Sequence, residues 1–131
     1  RQFLYCKLPP PRVITYPYAD AETETRFGRE QEQITFMGID RFTMKWSKQT
    51  SWGGLLFQNI CQGTASCLLR CSLRTLDDNG FKIVASVHDE VIAEGTPEQE
   101  QRFLHLMTHT PEWAKEIPVA VEGEWSQRYT K

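Results

Sequence analysis

The chain has 131 residues, 40% of them hydrophobic and 24% charged, with four Trp and a formal net charge of −2. That length favours one domain with a modest core, and the composition excludes a disordered segment. The near-neutral balance, with no long basic run, excludes a free-standing protein that holds nucleic acid mainly by neutralising phosphates. One side of a larger cleft stays compatible with it. No apolar run approaches the ~20 residues needed to span a membrane. No signal peptide precedes the four cysteines, so a reducing cytosol is expected. The chain begins at Arg1 rather than Met, and an excised or processed fragment is the expectation.

In chain order, residues 1–33 read as extended and loop segments. Leu8-Pro9-Pro10-Pro11-Arg12 should be extended, because each Pro fixes φ and biases its predecessor away from helix. Val13-Ile14-Thr15-Tyr16 reads as a short strand stopped by Pro17. Ala19 to Gln33 is polar and charge-rich with no apolar stripe, and reads as a surface loop. Ile34–Asp40 and Phe42–Trp46 read as two strands around a short turn, from their β-branched and aromatic content.

A helix is predicted from Gly54 to Leu76. Phe57, Ile60, Cys61, Thr64, Ala65, Leu68 and Cys71 recur at helical steps along one face. Leu69, Leu73 and Leu76 form a second row, so much of the helix should be buried. Asp77-Asp78-Asn79-Gly80 supplies its stop, with Gly80 suited to a left-handed conformation. Cys6, Cys61, Cys67 and Cys71 lack the spacing of a zinc site and read as small buried hydrophobes.

Phe81–Val87 and Val91–Glu94 read as strands with only His88-Asp89-Glu90 between them, hence a tight antiparallel hairpin. Thr96-Pro97-Glu98-Gln99 is a strong helix start, with a Thr cap, Pro at the first position and Gln three after the cap. That helix should run to about Thr108 and bury Phe103, Leu104, Leu106 and Met107 at least in part. Thr110-Pro111-Glu112-Trp113 repeats the Thr-Pro start for a short helical turn, and Ile117–Gly123 reads as a last strand. This order implies an α+β fold, with helices on one face of an antiparallel sheet. His105 and His109 are spaced for a metal, but Leu106 follows His105 where a metalloprotease would carry Glu, and they read as surface histidines.

The residues with the most chemical content are His88, Asp89 and Glu90. Charged residues at a hairpin tip are ordinary and by themselves read as a solvated turn. Yet such tips favour Asn-Gly or Asp-Gly, and this one has two acids and an imidazole without Gly. A short turn fixes its side chains well, which suits a metal-binding carboxylate. Mg²⁺ prefers hard oxygen ligands and often takes one or two carboxylates plus substrate phosphates.

Val87-His88-Asp89-Glu90-Val91, with Ile83–Ser86 before it and Ile92-Ala93-Glu94 after, resembles motif C of the family A (phage-type) DNA polymerases. Gly53-Gly54, Asn59-Ile60-Cys61-Gln62, Thr64-Ala65 and Leu68-Leu69 resemble the long palm helix that precedes it. Leu8-Pro9, Arg12 and Tyr16-Pro17 resemble the family's Leu-Pro-Ser-Gly-Arg…Tyr-Pro stretch. Trp113-Ala114-Lys115, Ile117-Pro118 and Glu122-Gly123 resemble its C-terminal end. The chain departs from the pattern at Pro10-Pro11, where the family's flexible Gly is lost, and at Trp52, Leu55, Gln58 and Ser66-Cys67, where several charged groups of the helix are lost. Motifs A and B are not recognisable in these residues.

The resemblance implies half of a polymerase palm. Residues 1–33 would follow the fingers, and 34–131 would be the C-terminal palm segment, an antiparallel sheet with the motif C hairpin and helices on one face. Asp89 would be the metal-ligating carboxylate, Glu90 a nearby and less essential acid, and His88 would lie near the primer terminus. Asn59 and Gln62 would approach primer-template DNA from the minor-groove side, where acceptors are alike in all base pairs. Mg²⁺ would be the cofactor. Primer-template DNA, deoxynucleoside triphosphates and upstream polymerase segments with motifs A and B would be partners, in a bacterial or phage-infected cell. A degenerate remnant acting as a free-standing nucleic-acid- or protein-binding module is the competing reading. A small metal-dependent phosphohydrolase would need a second acid cluster near Asp89.

Overall fold

The computed structural model describes residues 2–9, 11–26 and 28–129. The chain divides into two compact units, residues 1–64 and 65–131. The fold is α+β with antiparallel pairing throughout, distributed over sheets of two, three and two strands.

In the first unit, β1 (Phe3–Lys7) pairs with β2 (Val13–Pro17), with Phe3 opposite Pro17 and Lys7 opposite Val13. The segment between them turns back on itself rather than extending. The Leu8 N–H donates to the Arg12 carbonyl (3.1 Å), and the Arg12 N–H donates to the Pro9 carbonyl (3.3 Å). A fixed proline φ suits a tight turn as well as an extended run, and pairing of the flanking strands selects the turn. Pro10 lies outside the described residues.

The charge-rich stretch expected to be a loop is a long hairpin. β3 (Asp20–Arg26) pairs with β4 (Arg29–Ile39), from Asp20 opposite Thr35 to Arg26 opposite Arg29. Gly28 in its turn takes φ 74°, a conformation that favours glycine. Thr23 and Thr25 alternate with Glu22 and Glu24, a strand-compatible order. Because the turn end of the hairpin is exposed, no apolar stripe betrays it.

β5 (Trp46–Ser51) completes this sheet, with Ile39 opposite Trp46 and Ile34 opposite Ser51. It begins where the expected strand ended, because Asp40 diverts the chain into a loop. The Asp40 carboxylate accepts from the N–H groups of Phe42 (3.1 Å) and Thr43 (2.7 Å) and from the Thr43 hydroxyl (2.9 Å). Local bonds of this kind compete with a strand ladder. Glu22 and Lys48 form an ion pair between β3 and β5. The Tyr16 ring of β2 meets the Phe36 ring of β4 edge-on, with centroids 5.0 Å apart.

α1 (Gly53–Asp78) exceeds the predicted helix by a residue or two at each end. Its burial differs more. Cys67, Ser72 and Leu76 are buried, whereas Phe57, Cys61 and Ala65, expected on the apolar face, are exposed. Periodicity defines a shared face, but burial requires something to cover it. Of the cysteines, Cys67 alone is buried and Cys61 is exposed. At Gly63 an added Cβ would collide with the Leu8 side chain, so the missing side chain lets the 8–12 turn approach the helix.

The helix ends as its sequence predicts. The Gly80 N–H donates to the Asp77 carbonyl (2.9 Å) and the Phe81 N–H to the Leu76 carbonyl (3.0 Å). Gly80 has φ 82°. This is the paired bonding of a Schellman stop, in which a hydrophobic contact closes over the glycine. Here Leu76 and Phe81 supply it, joined by Met107 in the core of the second unit.

β6 (Lys82–Val87) and β7 (Glu90–Glu94) follow, paired from Lys82–Glu94 to Val87–Glu90. A register irregularity between Ile83 and Ala85 leaves Val84 exposed. Ile83, Val91 and Ala93 pack on the core. A 3₁₀ turn (Pro97–Gln99) leads into α2 (Glu100–Met107). Its expected cap forms, with the Thr96 N–H donating to Gln99 Oε1 (2.9 Å). Phe103 and Leu106 of α2 border the core, and the Phe81 and Phe103 rings meet edge-on at 5.3 Å. Ser72 Oγ lies 3.2 Å from the Met107 carbonyl, linking α1 to the end of α2.

Glu112–Ala114 forms the expected short helical turn. Ile117–Gly123, expected to be a strand, has no ladder partner among the described residues. Pro118 lacks the N–H that a ladder needs, and side chains hold the tail instead. Val121 packs on the core, and the Trp125 indole N–H donates to the Gly95 carbonyl (3.0 Å).

Two substitutions test this packing by thermal or urea unfolding. Leu76→Ala, at a fully buried side chain, should cost about 2–5 kcal/mol. Gly80→Ala should cost about 1–2 kcal/mol, since Ala must enter the left-handed region. Equal stability of either variant and the parent would contradict the assigned helix stop.

Candidate active-site hairpin

β6 and β7 approach each other until Val87 faces Glu90. The loop is therefore His88-Asp89 alone, one residue shorter than expected, and Glu90 opens β7. Tight two-residue loops require positive φ to match the strand twist. His88 supplies it at φ 55°. Histidine is among the non-glycine residues enriched in that region, though entry still costs about 1–2 kcal/mol. The tip is thus held in a defined and mildly strained conformation by the apolar strand pair beneath it.

His88, Asp89 and Glu90 are all exposed. Among the described residues, none donates a hydrogen bond to the Asp89 carboxylate. Glu90 does have a partner: the Tyr129 hydroxyl donates to its Oε2 at 3.2 Å. Desolvation, then the hydrogen bond to Glu90 and that group's charge, push the Tyr129 phenol above its ordinary range. Nothing in the sequence pointed to it, since it lies 39 positions from Glu90.

The tail reaches this point in fixed steps. Val121 enters the core, the Trp125 N–H meets Glu100 Oε2 at 3.3 Å and its indole caps Gly95. Each anchor shortens the free length of chain before Tyr129.

Two adjacent carboxylates at a tight loop offer hard oxygen donors of the kind Mg²⁺ takes, with waters and phosphates completing an octahedral shell. Among the described residues, no group of three or more His, Cys, Asp or Glu could hold a metal ion. The donor set fits one side of a magnesium site and not a self-sufficient cage. His105 and His109 are exposed and belong to no such group.

Asn59 and Gln62 lie one turn apart on α1, in the first unit. Gln62 is exposed. The Asn59 amide donates to the Tyr16 hydroxyl (3.0 Å), which ties the helix to β2. Among the described residues, no helix is long and apolar enough to cross a membrane.

Neither a family model nor a solved structure matches the chain. Over 131 aligned residues, 98% of this chain, its sequence is 33% identical to the DNA polymerase of Bacillus phage SP02. The chain spans 20% of that relative's length. By sequence, this chain is related to one stretch of a phage DNA polymerase.

Proposed function

We propose that the chain is the C-terminal palm part of a family A DNA polymerase and that its β6–β7 hairpin is motif C. The observation that supports this most is the tight two-residue tip bearing Asp89, in a chain similar along nearly its whole length to a phage DNA polymerase. Template-directed nucleotidyl transfer would belong to the longer protein.

In this reading, Asp89 presents its unengaged carboxylate to Mg²⁺, and Glu90 stands beside it with one oxygen held by Tyr129. Bound metal ions would neutralise developing charge on the triphosphate and activate the primer 3′-oxygen. His88, fixed by its left-handed backbone, lies beside the primer terminus. Gln62 and Asn59 check base-pair shape through minor-groove acceptors, Asn59 doing so from a side chain already positioned by Tyr16. The second anchoring carboxylate and the cations that face the leaving pyrophosphate come from upstream segments, because motifs A and B are not recognisable here.

Two expectations follow from one carboxylate pair without its partner. Calorimetric titration of the isolated chain should find no submicromolar Mg²⁺ site, because most coordination is left to water. A tight site lost in Asp89→Ala would mean that the chain itself supplies the missing ligands. In primer extension, the isolated chain should be inactive with Mg²⁺ and all four triphosphates. Joined to its upstream polypeptide it should extend the primer. Asp89→Ala should then reduce the rate about a thousandfold or more, a loss of several kcal/mol of charge stabilisation, and Glu90→Ala should do less. Full activity of the joined Asp89→Ala protein would refute the reading.

A further inference from the structure

The β4–β5 loop of the first unit carries exposed apolar side chains with no part in the hairpin chemistry. Ile39 and Trp46 face each other as the last strand pair, and both are more than half exposed. Met44 is 72% exposed and Phe42 is 96% exposed. One exposed ring is ordinary, but four large apolar side chains exposed on one short loop and its flanks make the kind of patch that marks an interaction site.

The loop that carries it is closed by its own hydrogen bonds. Asp40 binds the Phe42 and Thr43 N–H groups and the Thr43 hydroxyl. The backbone closes from Asp40 N–H to the Lys45 carbonyl and from Met44 N–H to the Asp40 carbonyl, both at 2.9 Å. Met44 takes φ 54°. The Thr43 backbone bond, followed by its hydroxyl, holds the Asp40 carboxyl below its ordinary range. Phe42 is thus presented by a preformed loop.

Charge tells what the loop is shaped to meet. Each ring is preceded by a cation: Arg41-Phe42 and Lys45-Trp46. Among the described residues neither cation has an ion-pair partner, whereas nearby Lys48 is taken by Glu22. An apolar protein surface would be matched by the rings but not by this alternation. A single strand of nucleic acid repeats an anion and a π-face at every nucleotide, which answers both groups.

We propose that the β4–β5 loop is a contact site for single-stranded DNA, with the Phe42 and Trp46 rings stacking on bases and Arg41 and Lys45 meeting phosphates. The choice of DNA rests on the polymerase reading, but the binding is independent of Asp89.

The test is fluorescence anisotropy of a labelled oligothymidylate, about 12 nucleotides long, titrated with the full chain at several salt concentrations. Two phosphate contacts predict that log K falls against log salt with a slope of about −1.4, reduced to about −0.7 in Arg41→Ala or Lys45→Ala. Phe42→Ala should weaken binding about five- to a hundredfold, the loss of one stacked base, while Trp46→Phe keeps a ring and most of the affinity. Asp89→Ala should bind like the parent even if polymerase activity is never found. The exposure of Phe42 makes its loss harmless to the fold, and an unchanged circular dichroism spectrum checks this.

No binding by the parent chain would overturn the proposal. So would equal binding by Phe42→Ala, or equal affinity for a flexible polyanion without bases. Self-association that disappears in Phe42→Ala would assign the loop to a second copy of the chain and overturn it as well.

Discussion

Much of the second unit depends on how one long helix is stopped. Gly80 accepts a left-handed backbone that other residues resist, and this lets Phe81 fold back onto Leu76. The same reversal starts β6 in the direction that brings Ile83 onto the core. Without it the helix would run on or fray, and the β6–β7 pair would have no apolar floor. The position of Asp89 is thus set by a residue that carries no side chain at all.

What rests on that floor is small. Leu76, Phe81 and Met107 form the buried centre, with half-buried side chains from both hairpin strands, α2 and the tail packed around it. A core of this size leaves little surplus to offset backbone strain, yet His88 carries a positive φ at the loop. The strain is tolerated because the apolar strand pair determines the register. The reward is a loop with few alternative conformations. Tyr129 adds a restraint from outside the hairpin by holding one oxygen of Glu90.

The electrostatic character of that loop follows from exposure. Asp89 is exposed, and among the described residues nothing donates to its carboxylate, so that group is open to a cation, while one oxygen of Glu90 is held by Tyr129. The number of carboxylates is the constraint. A divalent ion held by one exposed pair keeps most of its water, and the chemistry proposed for the hairpin needs acids and cations from other segments.

Where local physical chemistry was decisive, the amino-acid sequence was legible. α1, its glycine stop, the Thr96 cap and the β6–β7 hairpin all follow from spacing, φ preference or capping over a few residues. Asp89 was visible as an acid at a loop without glycine. Tertiary pairing decided the rest. β1 and the long β3–β4 hairpin form because partners exist across the sheet, and polar exposed strands leave no periodic trace. Asp40 moved β5 along the chain through side-chain bonds that no hydrophobic pattern reports, and Pro118 lies in a tail held by side chains rather than a ladder. Burial of α1 was overestimated from periodicity, since a stripe records which residues share a face and not whether that face is covered. The link from Tyr129 to Glu90 joins residues 39 positions apart, and only the folded path of the tail brings them together.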